Sequence, residues 1–477
     1  MLRRTKIVAT LGPATDHPEI LTGMCRAGLD VARLNFSHGN YDDHLRRLQM
    51  LRDACARAGR YVGIVGDLAG PKIRIESFRD GPIQLEEGAP FALDTMLDTK
   101  AGTSEVVGVA YKDLPRDLKV GDSLLLNDGL IVLDVIDVSA TRIKTVVKVG
   151  GELSNRKGLN RKGGGISAPA LADKDREDIK FAVAEKLDYV ALSFVRDAND
   201  VRLARALVEQ AGGQARLIAK IERHEAVSSL EGIIDASDGV MVARGDLGVE
   251  VGNAALPGLQ KTIIREARHR NRLVITATQM MESMINSPVP TRAEVSAVAN
   301  AVIDGSDAVM LSAETASGKY PLKAVASMAE IIEGAEAYQL GHERGRNRVE
   351  GQFTMTEEAI AKAVMYAANH MNVKAIVAMT ETGSTPLWMS RIRSDIPIYA
   401  FTRHEATRRR VTLYRGVYPV SFDIDTDDVR RLHGSIFMIL RNLNLVQLGD
   451  LVILTKGELS GVTGGTNSMQ ILKVTHG

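Results

Sequence analysis

Short apolar, β-branched runs alternate with amphipathic helical stretches through the first two-thirds of the chain. The runs are Lys6–Thr10, Val31–Phe36, Tyr61–Asp67, Tyr189–Phe194, Leu217–Glu222, Gly239–Asp246, Leu273–Gln279 and Ala308–Glu314. Strands apolar on both faces belong in parallel sheets covered by helices on both sides. Eight such units favour a closed (β/α)8 barrel over an open doubly wound sheet. Thr291 and Glu294, following Pro288 and Pro290, form a capping box that predicts a helix over Ala293–Ile303.

Two intervals break this rhythm. From Pro71 to Ala168 the pattern becomes strand-like alternation, as in Ile131-Val-Leu-Asp-Val-Ile-Asp-Val, punctuated by Asp-Gly and Gly-Gly turns. It predicts a small antiparallel β-barrel inserted into the large one. Gly70-Pro71 and Gly163-Gly164-Gly165 at its edges suggest a hinged cap, with a rigidly docked insertion as the alternative. From Tyr338 to Arg348 the chain turns polar and rich in Arg and Gly, a linker pattern. A new helical pattern starts near Thr356, and the runs Ala375–Met379, Ile398–Phe401 and Leu451–Thr455 predict a smaller open α/β domain. The expected fold class is therefore α/β: a TIM barrel (1–70 and 167–337), an inserted β-barrel cap (71–166) and a C-terminal open α/β domain (349–477). No internal repeat is legible.

Composition narrows the function. Apolar residues make up 45% and charged ones 25% of 477 residues, ordinary for a soluble chain of several domains. A net charge of +1 gives no footprint for nucleic acid or a membrane surface. No apolar run approaches the roughly 20 residues of a membrane span, and the N-terminus lacks a signal-peptide core. Cys25 and Cys55, the two cysteines, both fall on predicted helices. That argues for a reducing compartment without disulfides, and the expected localisation is cytoplasmic.

In barrels of this kind function gathers where the strands end, and here nearly every run ends in polar residues. Lys220 and Glu222 share a face by strand alternation, and Asp246 closes the next run. Two carboxylates on adjacent strand ends suit a hard divalent cation that keeps water and substrate oxygens in its other positions. A structural Lys220–Glu222 ion pair is the competing account. Arg33, Asn35 and Ser37 should also share a face. Asp67 is followed by Lys72 and Arg74; Arg244 and Gly245 precede Asp246; later runs bring Thr276 and Thr278, then Ser312 and Glu314. Arg33, Arg74 and Lys220 suit an anionic phosphorylated substrate. No Cys or activated Ser nucleophile is evident, and phosphoryl transfer needs none.

The motifs T-K-I-V-A-T-L-G-P, A-R-L-N-F-S-H-G, G-P-K-I-R, A-K-I-E, M-V-A-R-G-D-L-G-V-E, T-A-T-Q-M-M-E-S-M, P-T-R-A-E-V and M-L-S-A-E-T resemble those of the pyruvate kinases, in order from about Thr5 to the C-terminus. The resemblance implies transfer of the phosphoryl group of phosphoenolpyruvate to ADP, with Mg²⁺ (or Mn²⁺) as cofactor and ATP and pyruvate as products. It implies that Glu222 and Asp246 hold the metal, that Arg33 meets the substrate phosphate, and that Gly245, Asp246 and Thr278 meet its carboxylate. Lys220 would stabilise the transferring phosphoryl and the enolate oxygen, while Thr278 and Ser312 would hold a relay water. Asn35, Phe36, Ser37, His38, Arg74 and Lys157 would meet the nucleotide side. Many family members hold K⁺ near the equivalents of Asn35, Ser37, Asp67 and Leu68, with a glutamate where this chain has Lys72. An ammonium at Lys72 near Asp67 would replace that ion, so K⁺ is expected not to be required.

Thr380-Glu-Thr382-Gly383-Ser384-Thr385 lies between a strand and a helix expected from about Pro386, a ready anion cradle or a ligand-free turn. The resemblance implies a phosphorylated allosteric effector there, with Gly461–Ser468 as a second effector loop, and a homotetramer. Arg403–Arg410 reads as a solvated helix face, with an effector or subunit contact as the alternative, and Met280, Met281, Met284 and Trp388 read as packing. A metal-dependent enolpyruvate lyase or aldolase would have no use for Arg74 and Lys157 on a cap. A catalytically silent regulator would not need Lys220, Glu222 and Asp246 together.

Overall fold

The computed structural model describes residues 2–342, 353, 355–423, 428–457 and 465–475. Eight parallel strands pair in sequence order and close into a barrel, the first pairing with the last at Lys6 and Ala308. They are Lys6–Thr10, Val31–Asn35, Gly63–Asp67, Tyr189–Leu192, Arg216–Ile221, Gly239–Ala243, Leu273–Ala277 and Ala308–Leu311. Their near-complete burial follows from having helices outside and packed side chains inside. The helix Arg292–Asp304 carries the expected Thr291–Glu294 capping box.

Several strands stop before their apolar runs do, and two expectations change as a result. The sixth ends at Ala243, and Arg244–Val251 is helical, so Asp246 sits in a first helical turn instead of at a strand end. The second ends at Asn35, whose Oδ1 accepts the Ser37 N–H at 3.2 Å. That turn removes Ser37 from the face alternation would have shared with Arg33. In both cases the chain has reached the rim and must turn outward.

A repeat that the sequence hides runs along the strand starts. Asp30, Asp188, Asp238 and Asp307 each precede an even-numbered barrel strand. Each carboxylate accepts the N–H of a residue in the preceding odd-numbered strand: Ile7, Ile64, Leu217 and Val274, at 2.8–2.9 Å. Each aspartate N–H in turn donates to the carbonyl of that same residue. An arginine neutralises each: Arg3 for Asp30, Arg409 for Asp188, Arg205 and Arg216 for Asp238, and Arg391 for Asp307. Burial pushes Asp30 and Asp238 upward, but their arginines bring both below the ordinary carboxylate range. At Asp188 burial prevails over Arg409, and the pKa rises to about 6.

By its contacts the chain divides into two compact units, residues 1–66, 185–189 and 267–477, and residues 67–184 and 190–266. The second unit contains the insertion. Its strands form a six-stranded sheet, ordered Leu159–Arg161, Ser123–Leu126, Ile131–Val138, Arg142–Val149, Pro90–Asp94, Val106–Gly108, beside a ribbon of Gly151–Leu153 with Ile83–Leu85. The expected antiparallel barrel is thus not a closed ring in its hydrogen bonding, and its last pair is parallel. Register shifts in the long hairpin curl the sheet around one apolar core that includes Phe91, Leu124, Leu133 and Ile143.

The first unit contains the C-terminal sheet, ordered Val417–Ser421, Ile398–Thr402, Val373–Met379, Leu451–Gly457, Thr466–Lys473, parallel except for the last pair. Its two edge strands escaped the sequence reading. One contains Pro419 and the other is largely polar, both tolerable at an edge. The helix Pro321–His342 continues past Tyr338, where a linker was expected, and the rest of that stretch lies outside the described residues. Among the described residues no helix is long and apolar enough to cross a membrane.

Candidate active site

In the second unit, Lys220 lies next to last in the fifth barrel strand, paired in register with Met241, and Glu222 follows that strand directly. The Lys220 ammonium donates to Ser193 Oγ at 2.8 Å and Asp67 Oδ1 at 3.2 Å, and lies 3.0 Å from Glu222 Oε1. The ion pair left open by the sequence is therefore present, within a larger cluster. Glu222 is only 1% exposed, and its Oε2 accepts the Phe194 N–H at 2.8 Å. Burial pushes its carboxyl above the ordinary range, Lys220 opposes the rise, and the charge of Asp246 adds to it. A second carboxylate beside one already reluctant to ionise is an arrangement a divalent cation relieves. Among the described residues no group of three His, Cys, Asp or Glu side chains forms a fuller metal cage. Two carboxylates fit an ion that keeps several water and substrate oxygens.

Lys72 is found elsewhere than expected. Its Nζ bonds Asp246 Oδ1 at 2.9 Å, whereas Asp67 takes its ammonium from Lys220. Leu68 is buried and its carbonyl accepts from Ser193 Oγ at 2.7 Å. Gly245 shares the first helical turn with Asp246. Arg74 and Lys157 come together on the cap: Arg74 bridges Gly158, its guanidinium reaches the Arg156 carbonyl at 3.0 Å, and the Lys157 carbonyl accepts the Ile75 N–H. At the glycine edge where a hinged cap or a rigidly docked insertion was expected, three bonds form a latch. Glu225 accepts the Gly165 N–H, Arg223 donates to the Ile166 carbonyl at 2.7 Å, and Asn160 donates to Glu250 at 3.1 Å. A Cβ at Gly164 would lie 2.7 Å from Glu225, so the latch requires glycine there.

In the first unit, Arg33 is buried and donates to Thr10 Oγ1 at 2.9 Å, and that hydroxyl donates to the Leu311 carbonyl. Phe36 is 1% exposed and packs edge-on against His44, so it is core, whereas Ser37 and His38 are exposed. Thr278 has φ 62°, a rare left-handed conformation for a β-branched residue, and its hydroxyl bonds the Ala277 carbonyl at 2.7 Å. Ser312 is held from below: its N–H donates to Glu314 Oε2 at 2.7 Å, while Glu314 Oε1 accepts from Met281. Burial raises the Glu314 carboxyl. Thr276 is fully buried against Ser306 and belongs to the core.

The C-terminal loop is densely bonded. Thr380 Oγ1 accepts the Gly383 N–H, Ser384 Oγ donates to Glu357 at 2.6 Å, Thr385 Oγ1 pairs with Thr466 Oγ1, and the Thr382 carbonyl accepts from Arg410. The helix begins at Ser384, two residues earlier than expected. Arg403–Arg410 is not simply a solvated face. Arg408 stacks over Tyr61 and bonds the Thr402 and Arg403 carbonyls, and Arg409 pairs with buried Asp188. Met280, Met281 and Met284 are fully buried, as expected of packing residues. Gly461–Gly464 of the second effector loop lie outside the described residues.

Comparison with known proteins decides the family. The model of the pyruvate kinase barrel domain matches residues 2–325, and that of the pyruvate kinase alpha/beta domain matches residues 358–472. Pyruvate kinase II of Salmonella typhimurium is 51% identical over 477 residues, covering 99% of both chains. The pyruvate kinase of Haemophilus influenzae is 49% identical, covering 96% of both. That of Geobacillus stearothermophilus is 42% identical, covering 99% of this chain and 80% of its own.

This chain belongs to the pyruvate kinase family. Its activity is that of a pyruvate kinase, with phosphoenolpyruvate and ADP as the substrates the family implies. The sequence reading passed over Ser193 and the latch residues Glu225 and Glu250, and gave Glu314 only as the polar end of the eighth run. Ser193 had a signal, since it stands next to last in the fourth apolar run, as Lys220 and Glu222 stand near the end of the fifth. The latch had none, because its partners are brought together only by the fold.

Proposed function

We propose that phosphoryl transfer takes place over the cluster of Asp67, Lys72, Lys220, Glu222 and Asp246, with Glu222 and Asp246 holding Mg²⁺ (or Mn²⁺). The observation that carries this reading is the buried Glu222 carboxyl, raised by burial and by Asp246 and bonded by Lys220 on one oxygen and Phe194 on the other. When bound, the metal supplies charge neutralisation at phosphoryl and enolate oxygens. Lys220, oriented by Ser193 and Asp67, donates to the oxygen that gains charge as the phosphoryl group leaves. Arg33 grips the substrate phosphate, and Gly245, Asp246 and Thr278 orient its carboxylate. Arg74 straddles the group in transit, with Lys157, Asn35, Ser37 and His38 toward the nucleotide. Phe36 supports that loop from the core. Thr278 and Ser312 hold the water that protonates the enolate carbon.

Residues 71–166 act as the lid on a barrel of 1–70 and 167–337, and 349–477 form the regulatory domain. The loop Thr380, Thr382, Gly383, Ser384 and Thr385 takes the phosphate of an allosteric effector, which must displace the bonds of Ser384 to Glu357 and Thr385 to Thr466. The working form is a cytoplasmic homotetramer. Lys72 replaces K⁺, here by bonding Asp246, so turnover in tetramethylammonium buffer should match that in K⁺. A large stimulation by K⁺ would exclude this. Titration of Mn²⁺ by electron paramagnetic resonance tests the metal assignment: Glu222→Gln and Asp246→Asn should each lose at least ~10-fold in affinity. Unchanged Mn²⁺ binding in both variants would overturn it.

A further inference from the structure

The insertion leaves the barrel at Gly70 and rejoins it ahead of the helix Asp173–Ala184, and one side chain is bonded to the backbone at both places. Asp175 Oδ1 accepts the Gly70 N–H at 3.0 Å, and Oδ2 accepts the Ala172 N–H at 2.8 Å. The second bond is half of a capping box, in which an acid in the first helical turn reaches back to the N–H ahead of the helix. Asp43 and Glu294 do the same for their own helices from partly exposed positions. Asp175 has no exposure at all, and its other oxygen reaches 105 positions back along the chain. Burial pushes its carboxyl above the ordinary range, while both N–H bonds oppose the rise. Capping the helix needs one oxygen; the other serves the insertion. Gly70 has φ 63°, and a Cβ there would lie 2.7 Å from the Ser193 Cβ. Two residues before it, the Leu68 carbonyl accepts from Ser193 Oγ, which itself accepts from Lys220. Two residues after it Lys72 bonds Asp246, and Arg74 follows.

We propose that Asp175 is the pivot of the lid, a positioning residue that holds the Gly70 and Ala172 peptides on one carboxylate while residues 71–166 move over the site. The pivot rests on the reading of those residues as a lid. A segment tied at two points to one buried group can turn about the line between them but cannot slide along the barrel rim. Lys72 and Arg74, close behind Gly70, then keep their reach to the site in every position of the lid. Lys157, deeper in the insertion, swings with it toward the nucleotide. Asparagine cannot take this role. Its one oxygen accepts one N–H, and its NH2 group meets the other N–H donor to donor.

Kinetics of Asp175→Asn beside Lys157→Ala separate the pivot from the lid reading beneath it. Lys157→Ala should raise KM for ADP, as a lid contact to the nucleotide requires. Asp175→Asn should raise KM for ADP about tenfold, the usual effect of losing one hydrogen bond to a charged group, with kcat changed less than about threefold. KM for phosphoenolpyruvate should stay within about twofold. If only Lys157→Ala raises KM for ADP, the lid stands and the pivot falls, and Asp175 is a helix cap whatever its effect on the urea midpoint. If neither variant does, the lid reading fails and takes the pivot with it. Should Asp175→Asn not fold, hydrogen exchange of the full-length wild-type enzyme decides. The Gly70 and Ala172 amides, read from overlapping peptides, should exchange equally slowly with and without Mg²⁺-ADP, while the peptide around Lys157 slows on its addition. Gly70 and Ala172 amides that slow together with Lys157 would overturn the pivot. A Lys157 peptide indifferent to Mg²⁺-ADP would remove lid and pivot together.

Discussion

At the start of the barrel strands, four aspartates each meet an arginine and a backbone N–H; at their ends, carboxylates and ammonium groups meet one another. The first set is satisfied by fixed partners: Asp307, for instance, accepts from Val274 and pairs with Arg391, both sides nearly fully buried. The second set is balanced differently. Glu222 carries a raised carboxyl, and Asp246 shares its charge with Lys72, a side chain about a quarter exposed. Complete pairing fixes the register of a strand. Incomplete relief leaves room for a cation and an anionic substrate to finish the charge balance. The same residue types therefore do opposite work on one scaffold.

The widest separation between the two should come from breaking one group in each. Asp307→Ala leaves the Arg391 charge buried and uncompensated, so apparent unfolding free energy should fall by ~3–5 kcal/mol. In the fraction still folded, turnover should change by less than about twofold, by the ordinary independence of distant sites. Lys220→Met should do the reverse, lowering kcat by at least ~10²–10³ at a smaller cost in the urea midpoint, because Glu222, already raised, can take up a proton where Arg391 cannot lose one. If Lys220→Met destabilised the protein as much as Asp307→Ala, the distinction would fail.

A pH series sharpens the picture at the strand starts. Lys6 is fully buried, donates to the Val417 carbonyl at 2.7 Å and lies over the Tyr418 ring. Burial nevertheless lowers its pKa from 10.5 to about 8. Between those values the unfolded chain binds the proton and the folded chain does not, so this group makes stability rise with pH from about 8 to 10.5. Below pH 8 the charged form costs up to about 3 kcal/mol, offset in part by its bonds. Lys6→Met should thus be the more stable protein at pH 7 by ~1–2 kcal/mol, and lose that advantage near pH 10. Paired urea titrations at the two pH values read it directly.

The smallest stability effect should come from backbone strain at the strand ends. Thr278 holds φ 62° and Phe194 φ 56°, conformations that cost of order 1–3 kcal/mol in non-glycine residues. Thr278→Gly should relieve most of that cost, less about 0.5–1 kcal/mol for the freer unfolded chain. It should leave stability level or raised by about 1 kcal/mol, while kcat falls by ~10² or more. Unchanged turnover would mean that the strain serves no chemistry.

The barrel was legible because apolar runs at regular spacing admit few other arrangements, and the candidate site because those runs end in unusual polar residues. What failed was local. Alternation was carried past the strand ends, so Ser37 and Asp246 were read as strand residues when one lies in an Asx turn and the other in a helix. Lys72 was placed near Asp67 from the K⁺ region that the resemblance implies, although a side chain of that length reaches Asp246 on another segment. Arg403–Arg410 looked solvated because its partners, Asp188 and Tyr61, stand far away in the chain. The fourfold aspartate pattern stayed hidden because the intervals between its members are unequal and only the closed barrel aligns them.

That pattern bears on how the cap came to be carried at all. The segment holding it leaves the barrel after the third strand and returns at the fourth, and the side chain of Asp188 reaches across 124 positions to the Ile64 N–H. The stem of the graft is thus sutured at its base by a carboxylate and a carbonyl. Whatever is spliced between those two strands can vary in length or shape while the wound beneath it stays shut.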